Sequence, residues 1–230
     1  MDDKLYQVAK FYQEKLNNKH FLLVATKKNK ILTFEIFFNS SKFFHLIGLH
    51  KLKDLDISTP RLTYQEILSK KLRMEDIKRS KYFLEMEERI DNFEKIGKIL
   101  SSPNDMRKSL YGSFGLGRGI KADYLLSQKD EKYLHLFLIK DKGDIVVPVT
   151  FFTHDNELYL SKNTTRWNIV DVEELTEKDN VKRKAELMEL KAKLSTSTSR
   201  SFAEMREIVR DTVHVRSSNT KNNDKDEHDD

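Results

Sequence analysis

The sequence predicts an α+β fold in which N-terminal helices pack on a four-stranded antiparallel β-sheet and a helical extension follows. Three observations support this fold class. Apolar residues recur at helical spacing in two segments before residue 103. Four short strand-like runs then follow one another between residues 122 and 172, separated by polar turns. Beyond these runs the spacing is helical again, and this order of elements is typical of α+β proteins.

The N-terminal part is predicted to contain a helix, two strands and a second helix. Residues 3–18 place their apolar side chains on one helical face. Two strand-like runs, residues 20–26 and 30–38, are joined by a short polar turn. Residues 39–41 are Asn-Ser-Ser, which are favoured N-cap residues, so a short helix is expected to begin there.

Two further helices are predicted before the sheet. Thr63 and Glu66 have the spacing of a capping box, which predicts a helix that runs to about Lys71. Residues 80–100 then have apolar side chains at helical spacing until Pro103 stops the chain. The apolar positions of this stretch are Phe83, Met86, Ile90, Phe93, Ile96 and Leu100.

The predicted sheet consists of residues 122–128, 132–140, 144–153 and 166–172. Short connections between consecutive strands favour an antiparallel meander. Pro148 cannot donate a ladder hydrogen bond, so its strand is expected to lie at an edge or to contain a bulge.

The C-terminal part is predicted to be helical and then disordered. A helical run over about residues 173–194 precedes a polar linker, and Ser201 with Glu204 forms a second capping box before a short amphipathic helix. Beyond His214 the composition is that of a disordered acidic tail. The predicted organisation is a domain of residues 1–175, a helical extension of residues 176–213 and a tail of residues 214–230.

Composition excludes several classes of protein. Cysteine is absent, which excludes disulfides, thiolate zinc sites and a cysteine nucleophile. No apolar run approaches the roughly 18 residues that cross a bilayer. The acidic start MDDK lacks the features of a signal peptide, so we expect a cytoplasmic protein with no membrane contact. The net charge of +5 is compatible with a polyanion as partner, and equally with solvated lysines.

Nucleotide-cofactor and metal motifs are absent or out of context. Gly117, Gly119 and Ala122 fit G-x-G-x-x-A, but a dinucleotide site needs a helix after it, and here a strand follows. P-loop, serine-hydrolase and kinase signatures are missing, and the histidines lack metal-binding spacing. We therefore predict no cofactor and no metal. The glycine-rich loop is either a plain connection or, through Arg118 and Lys121, a basic loop that approaches a phosphate backbone.

The segment FFHLIGLHK, residues 43–51, contains two histidines five positions apart. On an ideal helix five residues turn the chain through roughly 500°, so the rings of His45 and His50 would point about 140° apart. From such a helix they would not line one small site. His50 on an apolar face is more often a core residue than a catalyst, and both interpretations stay open.

The start of the last predicted strand carries a second polar group. Thr165, Arg166 and Trp167 supply a hydroxyl, a guanidinium and an aromatic plane, which together could hold a phosphate and stack a base. The alternative is a turn followed by a tryptophan of the core.

Four pieces of the sequence, in this order, resemble one family. They are FFHLIGLHK, TYQEILSKKLRMEDIKRSKYF, IKADYLL and VPVTFF before a final strand. Over about residues 30–175 the chain is similar to the phage-associated BECR nuclease-like domains, named for barnase, EndoU, colicin and RelE, and within them to the fourth phage-derived subgroup. The fold of that family, helices followed by a four-stranded antiparallel sheet, agrees with the fold class predicted from the spacing.

The resemblance implies a small metal-independent ribonuclease, of toxin or phage-conflict type. The positions that match recurrent polar residues of the family are His45, His50, Lys51, Lys121, Asp123 and Thr150. Thr150 stands where many relatives have serine, which keeps the hydroxyl. We thus expect as catalytic residues His45, His50, Lys51, Lys121 and Thr150. We expect as substrate-binding residues Arg118, Asp123, Thr165, Arg166 and Trp167.

The favoured function is an endoribonuclease that cleaves RNA by attack of the ribose 2′-hydroxyl on the adjacent phosphate. Either histidine is a candidate acid or base, and the cations are candidates for binding phosphate. One alternative is a non-catalytic module on a nuclease-like fold that binds nucleic acid or protein. Another is an inhibitor whose charged C-terminal helices do the work. Residues 173–213 are expected to bind a protein partner or a second copy of the chain. The discriminating observation is whether the candidate catalytic residues converge in one cleft.

Overall fold

A computed structural model of the chain describes residues 3–28, 30–115, 119–155, 158–160, 163–175, 180–195 and 201–223. The helices are α1 (Lys4–Lys15), α2 (Ser40–Leu46), α3 (Pro60–Leu68), α4 (Met74–Ile77), α5 (Leu84–Asn92), α6 (Ile96–Ser101), α7 (Asn180–Ser195) and α8 (Phe202–Asn223). The strands are β1 (His20–Lys27), β2 (Lys30–Phe37), β3 (Asp105–Ser109), β4 (Ser113–Phe114), β5 (Ile120–Lys121), β6 (Tyr124–Lys129), β7 (Tyr133–Lys140), β8 (Ile145–His154) and β9 (Thr164–Leu175).

The α+β class is confirmed, but the predicted four-stranded antiparallel sheet is wrong. Seven strands in the described part of the chain form a closed barrel in the order β1-β2-β8-β7-β6-β3-β9. β6, β7 and β8 are the antiparallel meander that the sequence predicts, whereas β9 pairs with β1 and β3. The barrel is mixed because β2 and β8 run parallel. Closure pairs β1 of the N-terminal hairpin with β9 along most of its length, whereas β2 meets β8 only at Glu35 and Ile36.

The main hydrophobic core lies between one face of the barrel and the helices before Pro103, as the sequence predicts. Tyr12 of α1 and Phe43 of α2 meet Phe93 in this core, and the strands contribute side chains such as Leu136 and Phe151. We call the opposite face of the barrel the outer face. It carries two smaller hydrophobic clusters, and a different segment of the chain packs over each of them. We call these two segments the first and the second cover.

Of the helix caps predicted before the sheet, the one at Asn39 is present and the one at Thr63 is not. Asn39 Oδ1 accepts a hydrogen bond from the backbone N–H of Ser41 at 3.1 Å, which confirms the predicted cap of α2. The capping box predicted at Thr63 is wrong, because α3 begins three residues earlier with Pro60 in its first turn. The Thr63 hydroxyl instead donates to the backbone oxygen of Ser58 at 2.9 Å.

The first cover of the outer face is formed by the C-terminal helices. α7 and α8 pack on β1 and β9, where Leu22, Val24 and Val170 are buried against Leu190 and Val209. The predicted capping box at the start of α8 is confirmed by both of its hydrogen bonds. β9 continues to residue 175, so the helix predicted from residue 173 begins later, at residue 180.

The last helix extends into the segment that the sequence assigns to the tail. α8 ends at Asn223, and residues 224–230 lie outside the described part of the chain. Across the described residues, no helix combines the length and the apolar character that crossing a membrane requires.

The second cover lies over β6, β7 and β8. Phe114 and Ala122 of the β4–β5 region pack with Leu160, from a 3₁₀ turn over Leu158–Leu160, on Leu125 and Phe137 of the outer face. Nearby, β7 and β8 change register opposite Pro148, which confirms the bulge predicted at that proline. An open cleft remains between this cover and the helices α2 and α5.

Candidate active site

The cleft between these helices and the second cover brings together most of the predicted catalytic residues. It has a volume of about 360 Å³. Its polar lining consists of His45, His50, Arg89, Lys121 and Thr150. Its apolar lining consists of Ile120, Val149 and Phe152. Four of the five residues that the sequence assigns to catalysis therefore line one surface.

Gly48 is the reason that the two histidines face each other. α2 ends at Leu46, Gly48 has a left-handed backbone with a φ of 88°, and a 3₁₀ turn over Leu49–Lys51 follows. This break replaces the continuous helix that the sequence suggested, so the ring centroids of His45 and His50 lie 5.1 Å apart. The 140° separation expected for an ideal helix does not apply, because the chain does not continue as a helix through the glycine.

The same glycine allows α5 to approach the histidines closely. A Cβ atom on Gly48 would lie 3.2 Å from Met86 Cβ and 3.3 Å from Arg89 Cδ. Both distances are shorter than ordinary contacts between side chains. A residue without a side chain is therefore needed at position 48 for backbone conformation and for packing against α5.

Arg89 of α5 lines the cleft together with Ile120 and Lys121 of β5. Its Nη1 donates a hydrogen bond of 2.9 Å to Thr150 Oγ1. Its guanidinium carbon lies 5.3 Å from the centroid of the Phe152 ring, an arrangement that favours a cation over an aromatic face. Burial lowers the pKa of Arg89, but a guanidinium stays protonated at neutral pH. The result is a fixed positive charge beside the histidines.

Arg89 was not identified from the sequence. It stands among the acidic residues Glu87, Glu88 and Asp91, a charged stretch that is typical of the solvated face of an amphipathic helix. Spacing alone does not distinguish Arg89, which contacts Thr150 and Phe152 of β8, from the charged residues beside it. The glycine between the two histidines was the signal that could have revealed the shared site, since a glycine at that place is typical of a helix end.

The surroundings of the two histidines keep both imidazoles neutral at neutral pH. Burial, followed by the positive charge of Lys42, lowers the pKa of His45. Burial, followed by the charges of His45, Arg89 and Lys51, lowers the pKa of His50 to about 4. Both residues are exposed at the mouth of the cleft, so a substrate in solution can reach them.

Lys121 reaches the cleft through the β4–β5 hairpin. Ser113 pairs with Lys121 and Phe114 pairs with Ile120. A Cβ atom on Gly119 would collide with the backbone oxygen of Phe114, so only glycine lets the two strands close at this point. The exposed lysine ammonium therefore stands at the rim, opposite the helices that carry the histidines.

Two other predicted site residues, Lys51 and Asp123, are not among those that line the cleft. Lys51 Nζ lies 3.4 Å from a carboxylate oxygen of Glu85. Asp123 Oδ2 accepts a hydrogen bond of 2.8 Å from the backbone N–H of Lys140, which ties the start of β6 to the end of β7. Arg118 lies outside the described residues.

The predicted group at the start of β9 is divided by the fold. Trp167 packs in the main core, so its indole is not available to stack on a base. Thr165 pairs with Lys108 of β3. Arg166 lines a different pocket on the outer face, where its Nε lies 3.0 Å from Asp105 Oδ2. Strand alternation explains the separation, because neighbouring residues of a strand point to opposite faces.

The donor set around the cleft consists of imidazoles and cations. Within the described part of the chain, no three His, Cys, Asp or Glu side chains are grouped so as to hold a metal ion. The arrangement is suited to proton transfer by the histidines and to binding of an anion by Arg89 and Lys121.

Comparison with known protein families agrees with this geometry. A family model described as phage-Barnase-EndoU-ColicinE5/D-RelE like nuclease4 matches residues 4–194. The chain belongs to this family. As a member of this phage-associated BECR-like nuclease family it is expected to act on nucleic acid. The match is longer than the resemblance over residues 30–175 and includes nearly all of α7. Curated proteins and solved structures give no significant match to the chain.

Proposed function

We propose that the chain is an endoribonuclease that cleaves RNA by attack of a ribose 2′-hydroxyl on the adjacent phosphate. The observation that carries the proposal is the meeting of His45, His50, Arg89, Lys121 and Thr150 in one cleft. The reaction needs a base for the 2′-hydroxyl, an acid for the departing 5′-oxygen and positive charge for the phosphorane. The polar lining of the cleft supplies each of these groups.

The two histidines divide the proton transfers between them. Their rings are close enough that a proton on one disfavours a proton on the other, so the pair holds a single proton over a range of pH. His50 has the more strongly lowered pKa, and a charged His45 lowers it further. The proton therefore resides on His45, which acts as the acid, and His50 acts as the base.

Arg89 is the group that binds the phosphate at the reacting centre. The hydrogen bond to Thr150 and the contact with Phe152 fix the orientation of its guanidinium before substrate arrives. Donors that are fixed in advance stabilise developing charge without a cost for reorganisation. Thr150 accordingly acts as a positioning residue, and Lys121 contributes a second positive charge at the rim.

These two cations are proposed to do what a bound metal ion does in metal-dependent nucleases. A guanidinium matches the geometry of phosphate oxygens, and its charge does not depend on pH in the working range. We therefore propose a metal-independent reaction. Cleavage of RNA by the purified protein is expected to continue in EDTA.

The test of the mechanism uses two RNAs that differ in one atom. One is an all-ribose oligonucleotide, and the other has a single 2′-deoxy residue on the 5′ side of the cleaved bond. The protein is expected to cut only the first and to leave a 2′,3′-cyclic phosphate. Equal cleavage of both RNAs would refute attack by the 2′-hydroxyl. Tight RNA binding without any cleavage would favour the alternative of a non-catalytic module on a nuclease fold.

We further propose that the biological setting is that of a toxin or of conflict involving phages, acting on RNA in the cytoplasm. The support is the phage association of the family to which the chain belongs. Induced expression in a bacterial host is expected to arrest growth and fragment cellular RNA. A His50→Gln variant produced at the same level should do neither.

A further inference from the structure

A second pocket on the outer face carries an unbalanced group of positive charges. It has a volume of about 270 Å³. The polar residues that line it are Asn104, Asp105, Arg107, Ser127, Lys129 and Arg166. Three of these side chains are cations and one is a carboxylate. The sequence pointed to Arg166 alone, and only the strand pairing shows which residues accompany it.

The two arginines of this pocket face each other across a pair of strands. Arg107 of β3 is the direct partner of Arg166 of β9. Both guanidiniums share the carboxylate of Asp105, since the Nε atoms of Arg107 and Arg166 lie 2.7 Å and 3.0 Å from its oxygens. Like charges directly opposite each other destabilise a sheet unless an anion lies between them. One carboxylate balances one of the two arginines and leaves a surplus of positive charge.

Lys129 adds a third cation held in a defined place. Its Nζ lies 3.9 Å from the centroid of the Tyr133 ring. Its backbone N–H donates a hydrogen bond of 2.9 Å to Asn104 Oδ1, which orients the Asn104 amide at the edge of the pocket. The pocket thus combines fixed cations with an amide donor, the groups by which proteins contact nucleic-acid phosphates.

One row of paired residues connects this pocket with the candidate active site. Phe152 of the cleft pairs with His135, His135 pairs with Ser127, and Ser127 pairs with Asp105 of the second pocket. Adjacent strands lie about 4.8 Å apart, so three steps correspond to roughly 14 Å along the outer face. The turn over Leu158–Leu160 sits on this row, with Tyr159 against Phe152 and Leu160 in the second pocket.

We propose that this second pocket, which we name the Arg107–Arg166 pocket, binds a phosphodiester of the same RNA strand whose scissile phosphate lies beside His45 and His50. This inference rests on the proposed function and specifies its substrate. The RNA would cross the outer face over the turn at Leu158–Leu160. A single strand several nucleotides long reaches both places, and a dinucleotide reaches only the cleft.

The proposal predicts how RNA affinity depends on length. The probe is single-stranded RNA whose 2′-hydroxyls are methylated, so that it is not cleaved. The protein should bind a decanucleotide of this kind more tightly than a dinucleotide. Arg166→Gln should bind the decanucleotide about tenfold more weakly than the wild type does, because a charge-assisted contact is lost. The slope of the logarithm of the association constant against the logarithm of the salt concentration should also become less steep, by about 0.7. Dinucleotide affinity should not change.

Arg166 is the suitable position because 60% of its side chain is exposed, so the fold tolerates its replacement. The matched control is Arg79→Gln, which removes an arginine that is 74% exposed and also has a carboxylate neighbour, at 3.8 Å in Asp76. Fluorescence anisotropy with both RNAs at several salt concentrations is the measurement. Thermal unfolding of the two variants establishes that each is folded at the temperature of the assay.

The outcomes separate this proposal from the proposed function. Loss of long-RNA affinity in Arg166→Gln and not in Arg79→Gln supports the Arg107–Arg166 pocket. Equal behaviour of the two variants overturns it, whether or not the protein cuts RNA. If the wild type does not cut RNA while Arg166→Gln still loses its length-dependent affinity, the pocket stands and the catalytic proposal fails.

Discussion

The imidazole rings of His45 and His50 lie 5.1 Å apart, with an angle of 40° between their planes. They belong to two different short helical segments, which are separated by Gly48 with its left-handed backbone. The pair therefore depends on a local break in the backbone as much as on the histidines themselves. Its closeness to Arg89, Lys121 and Thr150 is the basis of the proposed catalytic roles.

The dependence of kcat/KM on pH follows from the lowered pKa values of both histidines. Activity needs a neutral His50 and a protonated His45, so kcat/KM should fall below about pH 4 and should also fall as His45 loses its proton. Because the pKa of His45 is lowered from its usual 6.5, the optimum should lie on the acid side of that value. Initial rates at low substrate concentration across pH provide the measurement. An alkaline optimum would contradict the assignment.

Substrate should shift this profile toward higher pH. A bound phosphate is an opposite charge, which favours the protonated form of each ring. The profile of kcat, which reports the enzyme–substrate complex, should therefore lie at higher pH than that of kcat/KM. Identical profiles would show that the phosphate does not sit beside the histidines.

Replacement of Arg89 should lower kcat strongly with little change in fold. In Arg89→Lys the positive charge remains, but the planar group that contacts Thr150 and Phe152 is lost. Loss of one oriented donor typically costs about 100- to 1,000-fold in kcat. Steady-state kinetics on the same RNA check this expectation, with Arg79→Lys as control. A variant with full activity would remove Arg89 from the site.

Thr150 allows a finer test of the positioning role. Thr150→Ser keeps the hydroxyl that accepts from Arg89 and should keep most of the activity. Thr150→Val has nearly the same shape without the acceptor and should behave more like the Arg89 variant. If the two Thr150 variants are equally active, Arg89 is not oriented through this hydrogen bond.

Gly48→Ala should impair both stability and activity. A left-handed backbone costs a residue with a Cβ roughly 1–2 kcal/mol, and the added methyl would contact Met86 and Arg89. We expect a lower melting temperature and a lower kcat, because the contact displaces the arginine. Gly143→Ala is the control, since Gly143 also has a positive φ but has open space around its Cβ position. It should lose stability and keep its activity.

Removal of residues 176–230 should destabilise the chain. It would uncover Leu22, Val24 and Val170 and would separate Arg183 from the buried carboxylate of Glu35, whose oxygen lies 3.2 Å from Arg183 Nε. The truncation thus removes both an ion pair and an apolar cover, and each loss lowers the free energy of unfolding. Circular dichroism should show a much lower melting temperature or no cooperative unfolding. A truncated chain as stable as the whole would support residues 1–175 as an independent domain.

Association through residues 173–213 stays a prediction. Val181 and Met188, one heptad apart on α7, are more than 70% exposed and are the apolar side chains that a partner or second copy would touch. A variant with glutamate at both positions should keep the fold. Light scattering would then show whether any association of the wild type is lost.

Much of the fold was accessible from the sequence because its elements carry local signals. The stripe of α1, the alternating pattern of β7 and the proline at the β8 bulge each reflect a neighbouring stretch of chain. The closed barrel was not accessible in this way. β1 pairs with β9 across most of the chain length, and β2 meets β8 through only two residue pairs, Glu35–Ile145 and Ile36–Val146. The sequence of β3 resembles a polar loop, because Met106 is its one apolar residue.

Most residues of the candidate site could be predicted from the sequence, but their arrangement in space could not. The family resemblance pointed to His45, His50, Lys121 and Thr150, which do meet in the cleft. Arg89 and Arg107 carry no local mark, since each stands among other charged residues. Their roles depend on which strand or turn a helix faces, and this is decided by contacts between distant parts of the chain.

The most direct test of the proposed catalysis is RNA cleavage by His50→Gln in EDTA, measured beside its melting temperature. A base in catalysis contributes about 100- to 10,000-fold in rate, so the variant should lose nearly all cleavage while its melting temperature stays within a few degrees of the wild type. His45→Gln, measured in parallel, should show a similar loss as the partner acid. A His50→Gln variant that cuts RNA at the wild-type rate, or a wild type that cuts only when a divalent metal is added, would contradict the proposed mechanism.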